Sequence, residues 1–291
     1  MLEKAAQAAR QLSYKGVFVY QAGENMTSLQ ITHTNLGGSG EFSRVVVLDG
    51  APREVLKQGD DALIYRPKKE KMLIEKRHMQ SGFPAIVPRV GDELRANYQI
   101  SAGEPERVAA REAIAITLTP HDALRYTSRF WVDTESGLLL KSALLNGGDV
   151  VEQVGFSQLQ LVPMAGMDWF RPNDDQNKTY ELKPEQTVKL SEEDNRWVVG
   201  QLPPGFHKVR QVMRMLPGRT QPVRHMVFCD GLASVSLFIE PVDRSEKPRN
   251  NTIAQGATNV VSRTVGNHQI VVLGELPAPT LLQIANSITA K

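Results

Sequence analysis

The sequence contains one cysteine, Cys229, so no internal disulfide can form and the redox compartment stays unread. It has no apolar run near the roughly 20 residues that a helix needs to cross a bilayer. The best candidate, Ile270 to Leu273, has the length of a short strand. Charge of one sign is missing too: 34 basic residues face 32 acidic ones, a net +2 that does not point to nucleic acid. The six histidines are scattered, without HExxH or paired cysteines beside them, so the local spacing of a zinc site is absent. GxSxG does not occur, and Gly37-Gly38-Ser39-Gly40 lacks the GK[ST] ending of a phosphate loop. No catalytic residue, metal or cofactor is expected from these patterns.

What is present is an ordinary globular composition, 41% hydrophobic and 23% charged, over 291 residues. That length favours two domains. The chain opens with Leu2, Ala5, Ala6, Ala9 and Leu12 at helical spacing. This start, without an apolar signal core, fits either a cytosolic chain or an exported one whose leader has been removed. The period then changes to two. Strand-like runs are expected at Lys15–Gln21, Thr27–Thr34, Glu41–Leu48, Arg53–Lys57, Ala62–Arg66 and Lys71–Glu75, broken by Gly, Asp and Pro. From Ser81 to Gly103 the pattern fades into a loop with a short helix near Asp92–Asn97. It resumes at Arg111–Thr119, Arg125–Asp133, Leu138–Leu145 and Val150–Leu161.

The organisation expected is a first, sheet-rich domain over 1–165, a polar linker over 166–195 with an extra strand near Thr187–Leu190, and a smaller α+β domain over 196–291. In the last, Asp230-Gly231 is expected as a two-residue turn between Val223–Cys229 and Leu232–Val242, and Gly266-Asn267 as the turn of a second hairpin. A closing helix starts near Pro277 and Pro279, with Leu281, Ile284, Ala285 and Ile288 as its stripe.

Two surfaces carry functional expectations. From Asn195 to Cys229 there is no Asp or Glu, yet Arg196, Lys208, Arg210, Arg214, Arg219 and Arg224 fall there. Strict alternation puts Lys208, Arg210 and Arg214 on one strand face, where like charges repel until an acidic or anionic partner arrives. A merely solvated edge fits as well. The second surface is apolar. A curled sheet with an uncovered face must bury it or offer it to a ligand, and Phe18, Tyr20, Ile31, Phe42, Val46, Phe130 and Leu140 are the candidates. By contrast, the basic runs Arg66–Lys71 and Glu75–His78 are interleaved with acids and read as a solvated hairpin.

Six stretches recur in one known order: Tyr14-Lys15-Gly16-Val17-Phe18-Val19-Tyr20, Asp49-Gly50-Ala51-Pro52-Arg53-Glu54-Val55, Trp131-Val132-Asp133-Thr134-Glu135-Ser136-Gly137-Leu138, Leu202-Pro203-Pro204-Gly205-Phe206, Asp230-Gly231-Leu232-Ala233-Ser234-Val235-Ser236 and Leu273-Gly274-Glu275-Leu276-Pro277. In that order they resemble the RseB/MucB family of bacterial envelope-stress regulators, over nearly the whole chain. The resemblance implies a periplasmic location and no enzymatic activity. It implies a large domain similar to the lipoprotein carriers LolA and LolB, a half-open antiparallel barrel with an apolar concave face. Its implied partners are the periplasmic part of a single-pass anti-sigma factor of MucA/RseA type, shielded from site-1 proteolysis, and a lipid or lipopolysaccharide that releases it, with alginate control downstream. Self-association is left open. A lipid or lipoprotein carrier is the competing reading, and an envelope hydrolase the weakest.

Overall fold

The computed structural model describes the chain except residues 69–70, 79–81, 164–165, 172–178, 184–186, 190–195, 217–218, 220, 243–249 and 291; residues 39, 67–68, 71–78, 179–183 and 187–189 are described by backbone alone. Helix α1 (Leu2–Gln11) leads into β1 (Tyr14–Ala22), β2 (Asn25–Asn35), β3 (Glu41–Val47), β4 (Glu54–Gln58), β5 (Asp61–Lys68) and β6 (Lys71–His78). Helix α2 (Asp92–Asn97) runs straight into β7 (Tyr98–Val108), followed by β8 (Arg111–Pro120), β9 (Thr127–Asp133), β10 (Leu139–Asn146) and β11 (Asp149–Leu161). With β12 (Thr179–Lys183) they form one 12-stranded sheet in the order β12-β6-β5-β4-β3-β2-β1-β11-β10-β9-β8-β7.

All neighbours in that sheet are antiparallel except β12, which lies parallel to β6. Its edge strands β7 and β12 do not pair with each other, so the sheet curls without closing. α1 forms because its apolar residues repeat at helical spacing, with Glu3 in the first turn and Arg10 in the last, the signs the helix dipole favours. It buries Leu2, Ala5, Ala8 and Ala9 against the sheet. Gly16 permits a close approach. A Cβ there would sit 2.6 Å from the Gln158 carbonyl and 2.8 Å from the Phe156 ring, which packs edge-on against Tyr14 and Phe18.

The second sheet contains β13 (Thr187–Lys189), β15 (His207–Arg214), β16 (Val223–Cys229), β17 (Ser234–Pro241), β18 (Asn251–Gln255), β19 (Thr258–Val265) and β20 (His268–Gly274), in the order β13-β15-β16-β17-β20-β19-β18. The short β14 (Trp197–Val199) pairs with β21 (Ile288–Ala290) after helix α3 (Ala278–Asn286). Leu281, Ile284 and Ala285 of the expected stripe lie on α3 and are buried with Leu237, Ile270 and Val272, whereas Ile288, expected on the helix, is buried from β21 beyond its end.

Three local expectations change. β7 occupies ground expected to be loop: it is an edge strand whose middle, Ser101 to Arg107, is exposed on both faces and carries no alternation. The segment 166–195 gives β12 to the first sheet and β13 to the second, while Trp169 and Phe170 fold back on the first; its residues 172–178, 184–186 and 190–195 lie outside the described residues. Asp230-Gly231 is half of a four-residue loop, because Cys229 pairs with Ser234 and Asp230 Oδ1 accepts the Leu232 and Ala233 amides at 3.0 and 2.7 Å. The Arg66–Lys71 and Glu75–His78 runs sit on the β5–β6 hairpin, but Lys69 and Glu70 and the side chains beside them lie outside the described residues.

Candidate functional site

On the concave face of the first sheet, the space that α1 leaves unfilled is a cavity of about 1000 Å³. Register decides what lines it. Phe18 pairs with Leu29 across β1 and β2, Ile31 pairs with Val45 across β2 and β3, and Tyr20 pairs with Val154 across β1 and β11, so these six share the face. They line the cavity together with Phe130, and Phe83 of the loop before α2 caps it with its ring 5.2 Å from Phe18. Of the seven expected lining residues, Phe18, Tyr20, Ile31 and Phe130 are there.

The other three require correction. Phe42 and Val46 lie out of phase with Val45, on the convex face, where Phe42 meets the Phe170 ring edge-on at 5.1 Å. Leu140 sits at a register irregularity in β10 and is fully buried in the core with Ala9 and Trp131. The cavity has a polar end. There His33 stacks on Tyr14 at 4.7 Å, places Nδ1 2.8 Å from the Leu12 carbonyl, which only accepts, and aims Nε2 at Glu41, 3.3 Å away. Burial opposes ionisation of Glu41, but His33, then Lys57 and Arg10, hold its carboxyl below the usual range. At the wall near Tyr20, burial and then Glu152 push the phenol pKa up.

The remaining cavity wall comes from the second domain: the loop Gly231-Leu232-Ala233 lines it. That loop is held by a buried polar seam. Arg125 in the β8–β9 connection lies 3.0 Å from Asp230 and 3.2 Å from Asp122, and donates to the Pro204 carbonyl. Its guanidinium is flanked at 5.5 Å by the rings of Tyr98 and Phe206. Tyr98 donates to Asp230 at 2.7 Å, and its own pKa is raised by burial and then by that carboxylate. Alongside, Asn259 donates to Tyr126 at 3.0 Å, and the Ala257 amide donates to Glu152 at 3.2 Å. Sequence reading missed this seam. Its members are single polar residues on five elements, and only the Asp-Gly pair gave a signal, which reads as turn chemistry.

The cationic strand is also rearranged. Lys208 pairs with Phe228 but Arg210 pairs with Val227, so the extra residue Val209 bulges and puts Lys208 and Arg210 on opposite faces. Lys208 donates to Gln211 at 2.7 Å. Arg224 points to the core side, buried, where it lines a smaller hollow with Arg196, Trp197 and His268. Arg219 bonds Glu240 at 2.7 Å. Of the five expected cations Arg210 and Arg214 share the outer face of β15, with Val212 between them and His225 opposite Val212, and Arg219 reaches the same face through Glu240.

His225 stacks flat on Phe238 at 4.2 Å and contacts Ser236 at 3.1 Å. Burial, then Arg214 and Arg210, pull its pKa down to about 4. The unfolded chain then binds the proton first. Stability present above the ordinary histidine value near 6.5 should fall as pH drops toward 4, by at most roughly 1.4 kcal/mol per unit. Urea midpoints measured across that window should show a slope that His225→Phe flattens; an equal slope in the variant would remove the assignment.

The described residues contain no group of three or more His, Cys, Asp or Glu able to hold a metal. Burial raises the Cys229 thiol pKa, so it is not an activated nucleophile. A cavity of mixed lining bordered by both sheets, with two arginines on the outer face of the second, is a geometry suited to binding. The family follows from comparison. Residues 1–180 match the MucB/RseB N-terminal domain and residues 191–289 the MucB/RseB C-terminal domain, so the chain belongs to the MucB/RseB family. It is 29% identical to the sigma factor AlgU regulatory protein MucB of Pseudomonas aeruginosa and 27% identical to the sigma-E factor regulatory protein RseB of Haemophilus influenzae, in both cases over 99% of this chain and 89% of the relative. The solved structure of MucB in complex with MucA(peri) superposes with a TM-score of 0.77, at 29% identity, covering 100% of this chain and 97% of that one.

Proposed function

We propose that this protein is a periplasmic regulator that binds the periplasmic part of a membrane-spanning anti-sigma factor. It acts by occupancy: while bound it hides the segment that the first protease cuts, and so restrains the envelope-stress sigma factor. A lipid or lipopolysaccharide whose acyl chain enters the concave cavity is the releasing signal. The observation that carries this reading is the full-length likeness to MucB, solved with the periplasmic part of MucA bound. The cavity supports the lipid arm, since its lining joins the apolar patch of Phe18, Leu29, Ile31, Val45, Phe83 and Phe130 to charged groups such as His33 and Glu41, a mixture that suits an amphiphile.

A carrier of lipids or lipoproteins is the alternative, favoured by the same cavity. Against it stands the seam: a carrier needs no second domain plugged into its wall. The test is a binding assay with the purified periplasmic segment of the cognate anti-sigma factor. Capture of that segment, its protection from the first protease, and its release by lipopolysaccharide fragments are expected. Failure to bind the segment, with handover of a lipoprotein to an acceptor instead, would replace this reading by the alternative.

A further inference from the structure

Apart from the Arg125 seam, two contacts between the domains carry groups that titrate. In the first, the β18–β19 turn of the second domain comes down on the end of β1. Gly256 holds a φ of +60°, and a Cβ there would meet Ala22 at 2.6 Å and the Glu152 carboxylate at 3.0 Å. Beside it the Ala257 amide donates to Glu152, which also accepts the Tyr20 hydroxyl. Asn259, just past Ala257, pairs with Gly274, so Glu275 leaves β20 alongside the turn that Glu152 holds. Both carboxylates line the cavity, one from each domain.

The second contact joins α2 to the start of β15. His207 Nδ1 lies 3.2 Å from Glu93 Oε1, with both side chains more than half exposed. The chain is tightly apposed there, since a Cβ on Gly205 would collide with the Asn97 amide. The other titratable and charged groups on the elements packed around His207 are Asp92 and Arg95 of α2, Lys208 beside it and the Cys229 thiol opposite it on β16. Glu275 is faced by Glu152 of β11 and Tyr20 of β1, and Tyr126 of the β8–β9 connection faces Glu152 in turn. Helix α3, which follows Glu275, carries no charged residue.

We propose that these two contacts make the joint between the domains a latch that protons tighten, so that acid closes the wall of the cavity and a rise in pH loosens it. Two carboxylates facing each other across an interface repel when both are ionised, and a proton on one turns the repulsion into a hydrogen bond. An imidazole facing a carboxylate gains an ion pair when it takes up a proton. The two effects have the same sign. Glu275 is exposed to the cavity, yet the protein packed around it raises its carboxyl pKa, by burial first and then through Glu152. The closed joint therefore holds that proton more tightly than parted domains would. Its contribution is complete below the ordinary glutamate value of about 4.3 and is lost as pH rises through the raised one. Glu275 and the Gly231-Leu232-Ala233 loop wall the cavity from the second domain, so loosening the joint widens the way in. The effect on a ligand rests on the lipid-binding reading of the cavity; the latch itself does not.

Hydrogen exchange of the Ala257 amide in the full chain reads the latch, because its bond to Glu152 crosses the joint. Protection, corrected for the intrinsic exchange rate, should fall about fivefold between roughly pH 5 and pH 7.5. Glu275→Gln combined with His207→Gln should flatten that change, and thermal melting of the variant checks the fold. Constant protection in the wild-type chain, or an unchanged slope in the folded variant, would overturn the latch. A fluorescent acylated probe should enter the cavity more slowly in acid than near neutrality, with a difference that shrinks in the variant. His33 and Glu41 stay intact in it, so any pH dependence of theirs is common to both chains. Equal entry rates alongside a changing amide would overturn the closure of the cavity. A probe that never binds would sink the lipid reading instead, and the amide alone would then decide the latch.

Discussion

Asp230→Ala is expected to destabilise the protein by about 3 kcal/mol, because it takes from a buried guanidinium one of its two carboxylates, the fully buried one, and leaves it Asp122 and the Pro204 carbonyl. The Arg125 and Asp230 side chains are 1% and 0% exposed, so water cannot replace the lost partner. The same carboxylate accepts the Tyr98 hydroxyl and the Leu232 and Ala233 amides, so the loop that walls the cavity loses its anchor with it. Arg125→Met with Asp230→Asn should cost less than the two singles summed, by about 0.5–3 kcal/mol of coupling. Urea denaturation measures both. If Asp230→Ala unfolds at the wild-type midpoint, the seam does not hold the domains.

The second large effect separates a lining residue from a core residue that look alike in sequence. Leu140→Ala should cost about 2–5 kcal/mol, since it opens a void in a closed core. It should leave affinity for an acylated ligand nearly unchanged. Leu29→Trp should do the opposite. The indole projects into the cavity from β2 and displaces ligand volume while the fold keeps its midpoint. Paired denaturation and fluorescent-lipid binding decide the matter, and a large affinity loss in Leu140→Ala with none in Leu29→Trp would misplace the cavity.

Strand existence was legible wherever one face is more buried than the other, as in β1 and β17, and also in β10, whose apolar run is buried on both faces. It failed for β7, whose exposed middle has no apolar phase to read. Face assignment failed where both faces are apolar. Phe42 is followed by the run Val45-Val46-Val47, and alternation cannot say which of them turns inward, because Phe170 returns from far along the chain to cover the convex side. One inserted residue, Val209, reversed the phase of the cationic strand, and a bulge leaves no mark in composition. The seam between domains was invisible for another reason. Its energy sits in Arg125, Asp230, Tyr98 and Asn259, four polar residues far apart in sequence, whereas periodicity reports only apolar burial.

The order of the first sheet carries a kinetic consequence. β1 pairs with β11, so Val19 lies opposite Gly155, and among the described residues this is the strand pairing that joins the meander β1–β6 to the meander β7–β11. The joint closes the longest loop in the domain, and such closures come late and slowly. Until the chain has emerged past Leu161, the first meander has a bare inner edge and a hollow without its far wall. The hollow therefore cannot take shape gradually from the N-terminal end; it is completed in one step, when β11 docks on β1.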